Sequence, residues 1–350
     1  MLLESVGDKD RLALGQGNRK PHNGGMDLLM LSSDDLRTAL PMAEAVEASK
    51  AAFAAQAEGR CVSPLRLGLT VEPAHGMTLV MPAHLPGTGL ATKIVSAFPD
   101  NASKGLPTVT GLVVVLDEDT GQPMAILDGA FLTAWRTGAA GGASVDLLAR
   151  EDAVTGAVLG SGVQAGTQLL AMCAVRRLER VRVWSRNPDH AATFTERWAP
   201  EVDTKLEVVE RVEEAVGDAD IVLAATSASE PLFDAALLAE GAHLGSAGSH
   251  QPHMLEVDPA LAACARVFVD DRDAALAEAG ELIAAIEHGH TTADEWTLLG
   301  DVARGATTGR EAPEDKTWFK SVGLAVQDVT AAAAAITTAR QKGLGQVIRF

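Results

Sequence analysis

The pattern of hydrophobic and polar residues changes character near residue 150. Before that point, apolar runs alternate with polar or glycine-containing turns, a pattern that predicts β-strands. A helix is predicted over 41–58, where Gly59 stops it, and the acidic segment 117–121 is typical of a hairpin turn. The predicted strands cover 26–31, 66–71, 77–81, 90–98, 109–116 and 123–127. We therefore expect an antiparallel sheet with one helical layer in this half.

In the second half, short apolar runs alternate with helical patterns. Strands are predicted over 154–159, 181–185, 205–209, 220–225, 242–247 and 266–270. Helices are predicted near 164–177, 189–199, 211–217, 233–239 and 273–287. This alternation indicates an α/β fold with a doubly wound parallel sheet. A helix over 131–148 links the halves, and a last helix over 317–341 is expected to return to the first domain.

Composition narrows the function classes. A chain of 350 residues with 47% hydrophobic content favours two domains with sizeable cores. A net charge of −18 makes nucleic acid and anionic membrane surfaces poor partners. No stretch has the length and apolarity of a membrane span, and residues 1–25 lack the apolar centre of a secretion signal. We expect residues 1–25 to form a mobile N-terminal extension.

Cysteine and histidine residues give no metal signal. Cys61, Cys173 and Cys264 are far apart and match no zinc spacing, as expected of a protein in a reducing compartment such as the cytoplasm. His288 and His290 lie in a polar stretch in which no third ligand is evident. No metal is therefore predicted.

A glycine turn joins the first strand and helix of the second half, within LGSGVQA. Gly160 permits a tight turn, Gly162 lets backbone N–H groups approach a pyrophosphate, and the small Ala165 allows close packing of helix on strand. The helix would also present the positive end of its dipole to a diphosphate. We predict that Gly160 and Gly162 bind NAD or NADP. An ordinary strand-to-helix turn that uses glycine for steric reasons remains the alternative.

The end of the next predicted strand distinguishes the two dinucleotides. It reads Ser185-Arg186-Asn187, without the acid that would bind the ribose 2′-OH of NAD. A guanidinium suits a 2′-phosphate, so we favour NADP, while Asp189 leaves NAD open. The run IVLAAT ends at Thr226 and is followed by Ser227, and we expect both residues beside the nicotinamide ribose.

Four segments together resemble the ornithine cyclodeaminase/μ-crystallin family: ATKIVSAFPDN, ILDGAFLTAWRTGAAGG, LGSGVQA and WFKSVGLAVQD. The resemblance covers residues 26 to about 340. It implies a homodimer built from a discontinuous α+β substrate-binding and dimerisation domain (26–145 and 316–345) and a Rossmann domain (146–315). Members of the family include cyclodeaminases, ketimine reductases, and alanine or opine-type dehydrogenases.

The resemblance also assigns substrate-binding residues. Lys93 matches a strand lysine near the substrate, and Arg136 matches the arginine of the family's RT motif. Less closely, Arg66 matches an early arginine that binds the substrate carboxylate, and Met81 matches a pocket residue. The resemblance also implies that Gly160, Gly162, Val163 and Gln164 form the cofactor-binding turn. Cations from separate strands would hold the carboxylate of an amino or imino acid. A structural pair between Arg136 and Asp128 is the alternative, as is a solvent-facing position for Lys93 or Arg66.

One loop departs from the cyclodeaminase pattern. Aligned on Pro252, His250 takes the place of the aspartate that handles the substrate amine in cyclodeaminases, and the loop is more similar to the ketimine-reductase branch. The resemblance then implies an NAD(P)H-dependent oxidoreductase acting on a carbon–nitrogen bond, in which Lys93 or His250 manages the imine proton. An ornithine cyclodeaminase with recycled NAD and a non-enzymatic NADPH-dependent binder of small ligands remain alternatives.

Overall fold

The structure, a computed structural model, describes residues 26–349; the predicted mobile extension, residues 1–25, lies outside the described part. The described residues divide into two compact units, 26–40 with Arg60–Leu132 and 328–349, and Pro41–Gly59 with Thr133–Gln327. Residues 41–59, 133–145 and 316–327, which were predicted to belong to the substrate domain, fall within the second unit, and the functional domain bounds stay a prediction. In the described part, no helix combines the length and apolarity needed to cross a membrane.

The strands in chain order are β1 (Asp27–Leu31), β2 (Leu67–Val71), β3 (Gly76–Leu85), β4 (Gly89–Ala97), β5 (Val109–Leu116), β6 (Pro123–Asp128), β7 (Thr155–Leu159), β8 (Arg180–Trp184), β9 (Lys205–Val208), β10 (Ile221–Ala224), β11 (His243–Ser246), β12 (Arg266–Val269), β13 (Thr297–Leu298), β14 (Thr317–Lys320) and β15 (Gln346–Arg349). The helices are α1 (Ser33–Ala39), α2 (Met42–Ala57), α3 (Gly129–Leu148), α4 (Val163–Val175), α5 (Pro188–Trp198), α6 (Val212–Val216), α7 (Arg272–Glu278), α8 (Gly280–Glu287), α9 (Leu299–Ala303) and α10 (Ala325–Lys342).

The first unit contains a seven-stranded sheet in the order β15-β1-β6-β5-β4-β3-β2. The hairpins from β2 to β6 are antiparallel, but β1 pairs with β6 in parallel, so the expectation of a purely antiparallel sheet was wrong. The parallel pair arises because α1 and α2 intervene between β1 and the hairpins, so that β1 does not join them through a tight turn. β15, which the sequence pattern did not predict, pairs with the other edge of β1.

The second unit contains an eight-stranded, all-parallel sheet in the order β13-β12-β14-β11-β10-β7-β8-β9. The chain runs outward from β7 to β9 and then returns to build β10 on the opposite side of β7. This change of direction is the topological switch point at which doubly wound sheets bind ligands. The predicted α/β class with a doubly wound parallel sheet is confirmed.

The helix predicted over 317–341 was wrong at its beginning. Thr317–Lys320 is a strand, β14, inserted between β11 and β12, and the helix starts only at Ala325. Trp318 and Lys320 are fully buried, which suits a central strand covered on both faces. Gly323 (φ 84°) then turns the chain before the helix. The helix predicted over 233–239 is only a short 3₁₀ turn, Ala235–Leu237, and the one predicted over 273–287 breaks at Ala279.

Small residues bring α3 and α4 close together in the second unit. A Cβ at Gly138 would lie 2.5 Å from the side chain of Thr167, and one at Gly142 would lie 2.9 Å from the methyl group of Ala171. A Cβ at Gly141 would overlap the amide oxygen of Gln168. The backbones of the two helices therefore approach more closely than larger side chains would permit.

Candidate functional site

The glycine turn between β7 and α4 follows a path that needs glycine at its first position. Gly160 has φ 119°, and a Cβ there would lie 2.6 Å from the carbonyl oxygen of Ala225. The Gly160 N–H donates to the carbonyl of Trp184 (2.8 Å), which joins the turn to β8. The turn thus lies between β8 and the loop that follows β10.

The amino end of α4 fits the diphosphate of a dinucleotide. A Cβ on Gly162 would meet none of the described atoms within 4 Å, and α4 has neither a capping side chain nor an acid in its first turn. Its first N–H groups and positive dipole end therefore face the space next to Gly162. The buried Oε1 of Gln164 has no hydrogen-bond partner within residues 26–349. Gly162, exposed Val163 and Gln164 are the residues that would hold the diphosphate.

The loop after β8 lies beside the same turn. The Ser185 hydroxyl is 2.9 Å from that of Ser161, a residue the sequence analysis did not single out. Asn187 caps α5, since its Oδ1 accepts from the Asp189 N–H (3.0 Å). Arg186 is exposed between them. Arg186 thus lies two residues after β8, the second strand of the βαβ unit, and the residue before it is a serine and not an acid.

A buried carboxylate joins the loops after β10 and β11. Glu256 accepts hydrogen bonds from the N–H groups of Thr226 and Gly248, the second at 2.9 Å. Burial raises the pKa of Glu256, and the Lys320 ammonium acts in the opposite direction. Ser227, next to Thr226, is exposed. Glu256 thereby holds two loops in place at the carboxyl edge of the sheet.

A buried ion pair supports the loop of the predicted catalytic histidine. Lys320 Nζ donates to the carbonyl and the hydroxyl of Ser249, both at 2.7 Å, and lies 3.3 Å from a carboxylate oxygen of Glu281. The Ser249 hydroxyl donates to the same carboxylate. His250 follows at the exposed end of the loop, with Nδ1 3.0 Å from the Gly248 carbonyl oxygen. The buried pair thus fixes the residue that precedes His250.

Arg136 lies on α3 and is only 5% exposed. Its Nη1 donates to Oε1 of Gln327 (3.3 Å), which also accepts from the Leu324 N–H (2.8 Å). A Cβ on Gly323 would lie 2.5 Å from Nη1, so the backbone there packs against the guanidinium. Asp128, considered above as a structural partner of Arg136, accepts from the Phe131 N–H (2.9 Å) near the start of α3.

Two of the predicted substrate residues, Lys93 and Met81, share one row of the sheet in the first unit, and Arg66 precedes the neighbouring strand. Lys93 lies opposite Met81 in the β3–β4 pair, and Leu67 lies opposite Val80 in the β2–β3 pair. Arg66 comes one residue before β2. Directly opposed residues of antiparallel strands point to the same face. Met81 is buried on this face and Arg66 is half-buried.

Lys93 carries its charge into the interior of the first unit. Its side chain is fully buried, and Nζ donates to Oδ1 of Asp328 on α10 at 3.1 Å and lies 2.9 Å from Oδ2. The alternative of a solvent-facing lysine was therefore wrong. Asp328 lies at the end of the WFKSVGLAVQD segment and was not predicted as a site residue.

His243 is structural. It is fully buried, with its ring nitrogens each 3.0 Å from a hydroxyl, Nε2 from Ser144 and Nδ1 from Thr317. Burial lowers the pKa of His243 to about 3. Across residues 26–349, no three His, Cys, Asp or Glu side chains are grouped as a metal site would require.

The structure gathers the predicted residues within each unit. All predicted cofactor residues follow the carboxyl ends of three adjacent strands of the parallel sheet, β7, β8 and β10; they are Gly160, Gly162, Val163, Gln164, Ser185, Arg186, Asn187, Thr226 and Ser227. His250 follows the neighbouring strand β11. The residues that the sequence analysis missed are mostly buried charges, Glu256, Asp270, Glu281, Lys320 and Asp328. Their one sequence signal is an ionisable residue within or at the end of an apolar run.

Comparison with known proteins gives the family. The model of the ornithine cyclodeaminase/mu-crystallin family matches residues 26–343. The chain belongs to this family. It is 34% identical over 326 residues to a delta(1)-pyrroline-2-carboxylate reductase of Bacillus cereus, covering 92% of this chain and 100% of the relative.

Two solved structures extend the likeness to the whole fold. A Thermococcus litoralis delta(1)-pyrroline-2-carboxylate reductase in complex with NADH and L-proline superposes with a TM-score of 0.88 at 36% identity, covering 92% of this chain and 100% of the other. An archaeal alanine dehydrogenase dimer with bound NAD gives 0.86 at 32% identity, covering 93% and 100%. The predicted class, an NAD(P)-dependent oxidoreductase acting on the carbon–nitrogen bond of a small amino or imino acid, is confirmed.

Proposed function

We propose that the protein reduces the C=N bond of a small, preferably cyclic, α-imino acid, the substrate class of the pyrroline-2-carboxylate reductases to which it is similar. The buried Lys93–Asp328 pair is the observation that carries this proposal. A buried ion pair contributes little net stability compared with apolar side chains of similar size, so its presence calls for a functional reason. An ammonium group suits the task of supplying a proton to an imine nitrogen.

Each predicted residue takes one step in this scheme. Arg136 binds the substrate carboxylate through its planar guanidinium, and Arg66 adds a second cation. Lys93 protonates the imine nitrogen while Asp328 neutralises its charge before the substrate arrives. A protonated imine accepts a hydride far better than a neutral one, and one positioned acid contributes about 10²–10⁴-fold to such a step. His250 is the second candidate for this proton transfer.

The cofactor would bind at the amino end of α4. Gly160, Gly162, Val163 and Gln164 would hold its diphosphate, and Thr226 and Ser227 its nicotinamide side. A bound reduced nicotinamide supplies the hydride that this chemistry requires. We propose NADPH over NADH because Arg186, rather than an acid, follows the second strand and can pair with a 2′-phosphate.

We further propose that the protein is a homodimer, like the archaeal alanine dehydrogenase. In the first unit, Leu67, Val80, Ile94 and Leu112 lie opposite one another across four strands on the sheet face away from Lys93. Three of these side chains, Leu67, Ile94 and Leu112, are 42–59% exposed. A continuous apolar patch of this kind is typical of a protein interface.

A substrate panel tests the proposal. The purified protein is mixed with NADPH or NADH and with cyclic or linear α-imino acids, and the absorbance of the reduced nicotinamide is followed. We expect oxidation of the cofactor with a cyclic imino acid and faster turnover with NADPH. Release of ammonia from ornithine without net cofactor change would instead indicate a cyclodeaminase. Tight NADPH binding without turnover of any imino acid would indicate a non-enzymatic binder.

A further inference from the structure

A buried carboxylate fixes the turn between β14 and α10. Asp270 directly follows β12 and is 1% exposed. Its Oδ2 accepts from the Ser321 hydroxyl (3.0 Å), the Val322 N–H (3.0 Å) and the Gly323 N–H (2.7 Å). Its Oδ1 accepts from the Asp271 N–H (3.1 Å). One carboxylate therefore holds three consecutive residues of the turn in a single conformation.

This turn is the backbone surface on which the Arg136 guanidinium rests. At Gly323, which has φ 84°, an added Cβ would lie 2.5 Å from Nη1 and 3.2 Å from Nη2 of Arg136. Immediately after the turn, the Gln327 amide joins the Leu324 N–H to Nη1 of the same arginine. A shift of the turn would therefore move the support of the guanidinium, and only glycine leaves enough room for it.

We propose that Asp270 is a positioning residue for Arg136, acting through the 321–323 turn to aim the guanidinium at the substrate carboxylate. This inference rests on the proposed role of Arg136. A carboxylate is gripped by two parallel hydrogen bonds only when the guanidinium plane is correctly oriented. Misplacement by about 1 Å can cost about 10²-fold in rate.

The chemistry of the site agrees with a positioning role. Burial raises the pKa of Asp270, while its hydrogen bonds to Gly323, Ser321 and Val322 act in the opposite direction. An asparagine would place an NH₂ group against at least one N–H donor, because both carboxylate oxygens accept hydrogen bonds. Asp270→Asn therefore disturbs the turn with almost no change in volume.

The test is a double-mutant cycle between Asp270→Asn and Arg136→Met. The KM for the imino acid and the Kd for NADPH, from nicotinamide fluorescence, are measured for the wild type, both single variants and the double variant. We expect Asp270→Asn to raise KM at least tenfold and to change the Kd for NADPH less than twofold. In the Arg136→Met background, the same substitution should raise KM less than twofold, because residues that act through one another are not additive.

Two further variants keep the test decisive. Ser321→Ala removes one of the four hydrogen bonds that the Asp270 carboxylate accepts and should raise KM about threefold. This variant tests the inference even if Asp270→Asn folds poorly. Asp271→Asn is the matched control, since the neighbouring Asp271 caps α7 and bonds Gln56 (2.8 Å) rather than the turn. It should lower thermal stability and leave KM unchanged.

The outcomes separate the two proposals. Suppose that Arg136→Met raises KM strongly and that Asp270→Asn raises KM by the same factor in the Arg136→Met variant as in the wild type. The inference then fails while the proposed function stands. If Asp270→Asn and Ser321→Ala lower only stability, as Asp271→Asn does, the inference fails as well. If Arg136→Met itself leaves KM unchanged, the proposed function of Arg136 fails and this inference fails with it.

Discussion

The ammonium of Lys93 lies 2.9 Å from Oδ2 of Asp328, and neither side chain is more than 1% exposed. The pair joins the middle of β4 to the first turn of α10. Removing one member of a buried ion pair leaves a poorly compensated charge in the interior, which is strongly destabilising. Replacing both members with apolar side chains leaves no buried charge and is often neutral or stabilising. The pair is therefore a sensitive point for both stability and chemistry.

Asp328→Asn should lower the free energy of unfolding by about 3–5 kcal/mol, because the buried Lys93 ammonium loses the negative charge of the Asp328 carboxylate. The double variant Lys93→Met with Asp328→Leu should recover most of this loss and remain inactive. Urea unfolding and imino-acid turnover measure the two effects. Arg211→Met, which breaks the exposed Arg211–Glu213 pair (3.3 Å), is the control and should change little. Full activity of the double variant would rule out a proton-transfer role for Lys93.

The two glycines of the turn after β7 should respond differently to substitution. In Gly162→Val the new side chain would occupy open space, so the free energy of unfolding should stay unchanged. The same space is where the diphosphate would bind, so NADPH affinity should fall at least tenfold. Gly160→Ala should cost at least about 1 kcal/mol of stability, because alanine at positive φ is strained. Thermal unfolding and fluorescence titration distinguish them. Unchanged NADPH affinity in Gly162→Val would place the diphosphate elsewhere.

Arg186→Asp should shift cofactor preference from NADPH towards NADH by at least tenfold in kcat/KM. The change replaces a cation that suits a 2′-phosphate with an acid that suits a 2′-hydroxyl. Arg211→Asp makes the same charge change at another exposed position of the second unit and should leave the ratio unaltered. An equal ratio for the wild type and Arg186→Asp would show that the 2′-phosphate is bound by other residues.

His243 should contribute to acid sensitivity. Its pKa is about 3 in the folded protein against 6.5 for the free side chain, so the unfolded state binds the extra proton between these values. Stability attributable to this group is therefore complete above pH 6.5 and falls by about 1.4 kcal/mol per pH unit below it. His243→Gln should show a correspondingly shallower decline between pH 6 and 5 in urea unfolding. Exposed His253→Gln serves as the control. Equal slopes would contradict the burial argument.

Ile94→Glu and Leu112→Glu should each convert the proposed dimer into monomers. These two side chains face each other across β4 and β5 on the exposed apolar face and are 42% and 49% exposed. A charge placed in an apolar interface loses its hydration without gaining a partner. Sedimentation velocity gives the mass directly. Leu276→Glu, equally exposed on α7, should stay dimeric. Dimers of undiminished affinity in both test variants would move the interface elsewhere.

Most strands could be predicted because the alternation of apolar and polar residues, and the glycines at turns, can be recognised within a short stretch of sequence. β4 and β5 follow their apolar runs to within a residue, since each needs only period-two patterning and a turn at its end. β14 was missed for the opposite reason. Its four residues precede a long alanine-rich helix, and only burial between β11 and β12 makes them extended.

The candidate site was predicted where a motif carries its own geometry, as in the Gly160–Gly162 turn. The buried carboxylates were not predicted. In the sequence, Asp270 and Glu256 look like ordinary loop acids, because the N–H groups that donate to their carboxylate oxygens are far away in the chain. Glu256 lies 30 residues from Thr226, and Asp270 lies 53 residues from Gly323. Pairings over such distances depend on the order of strands in the sheet, which the local pattern did not reveal.

The close contact of α3 with α4 has a consequence for how the second unit responds to its ligands. The helix that bears Arg136, α3, packs directly against α4, whose amino end would hold the diphosphate. At the contact there is no room for even one added methyl group at Gly138, Gly141 or Gly142. Because a shift of either helix would press its backbone against the other, we expect the two helices to move together. Cofactor and imino acid should then influence each other's affinity by the same factor, and occupancy by one would prepare the protein for the other.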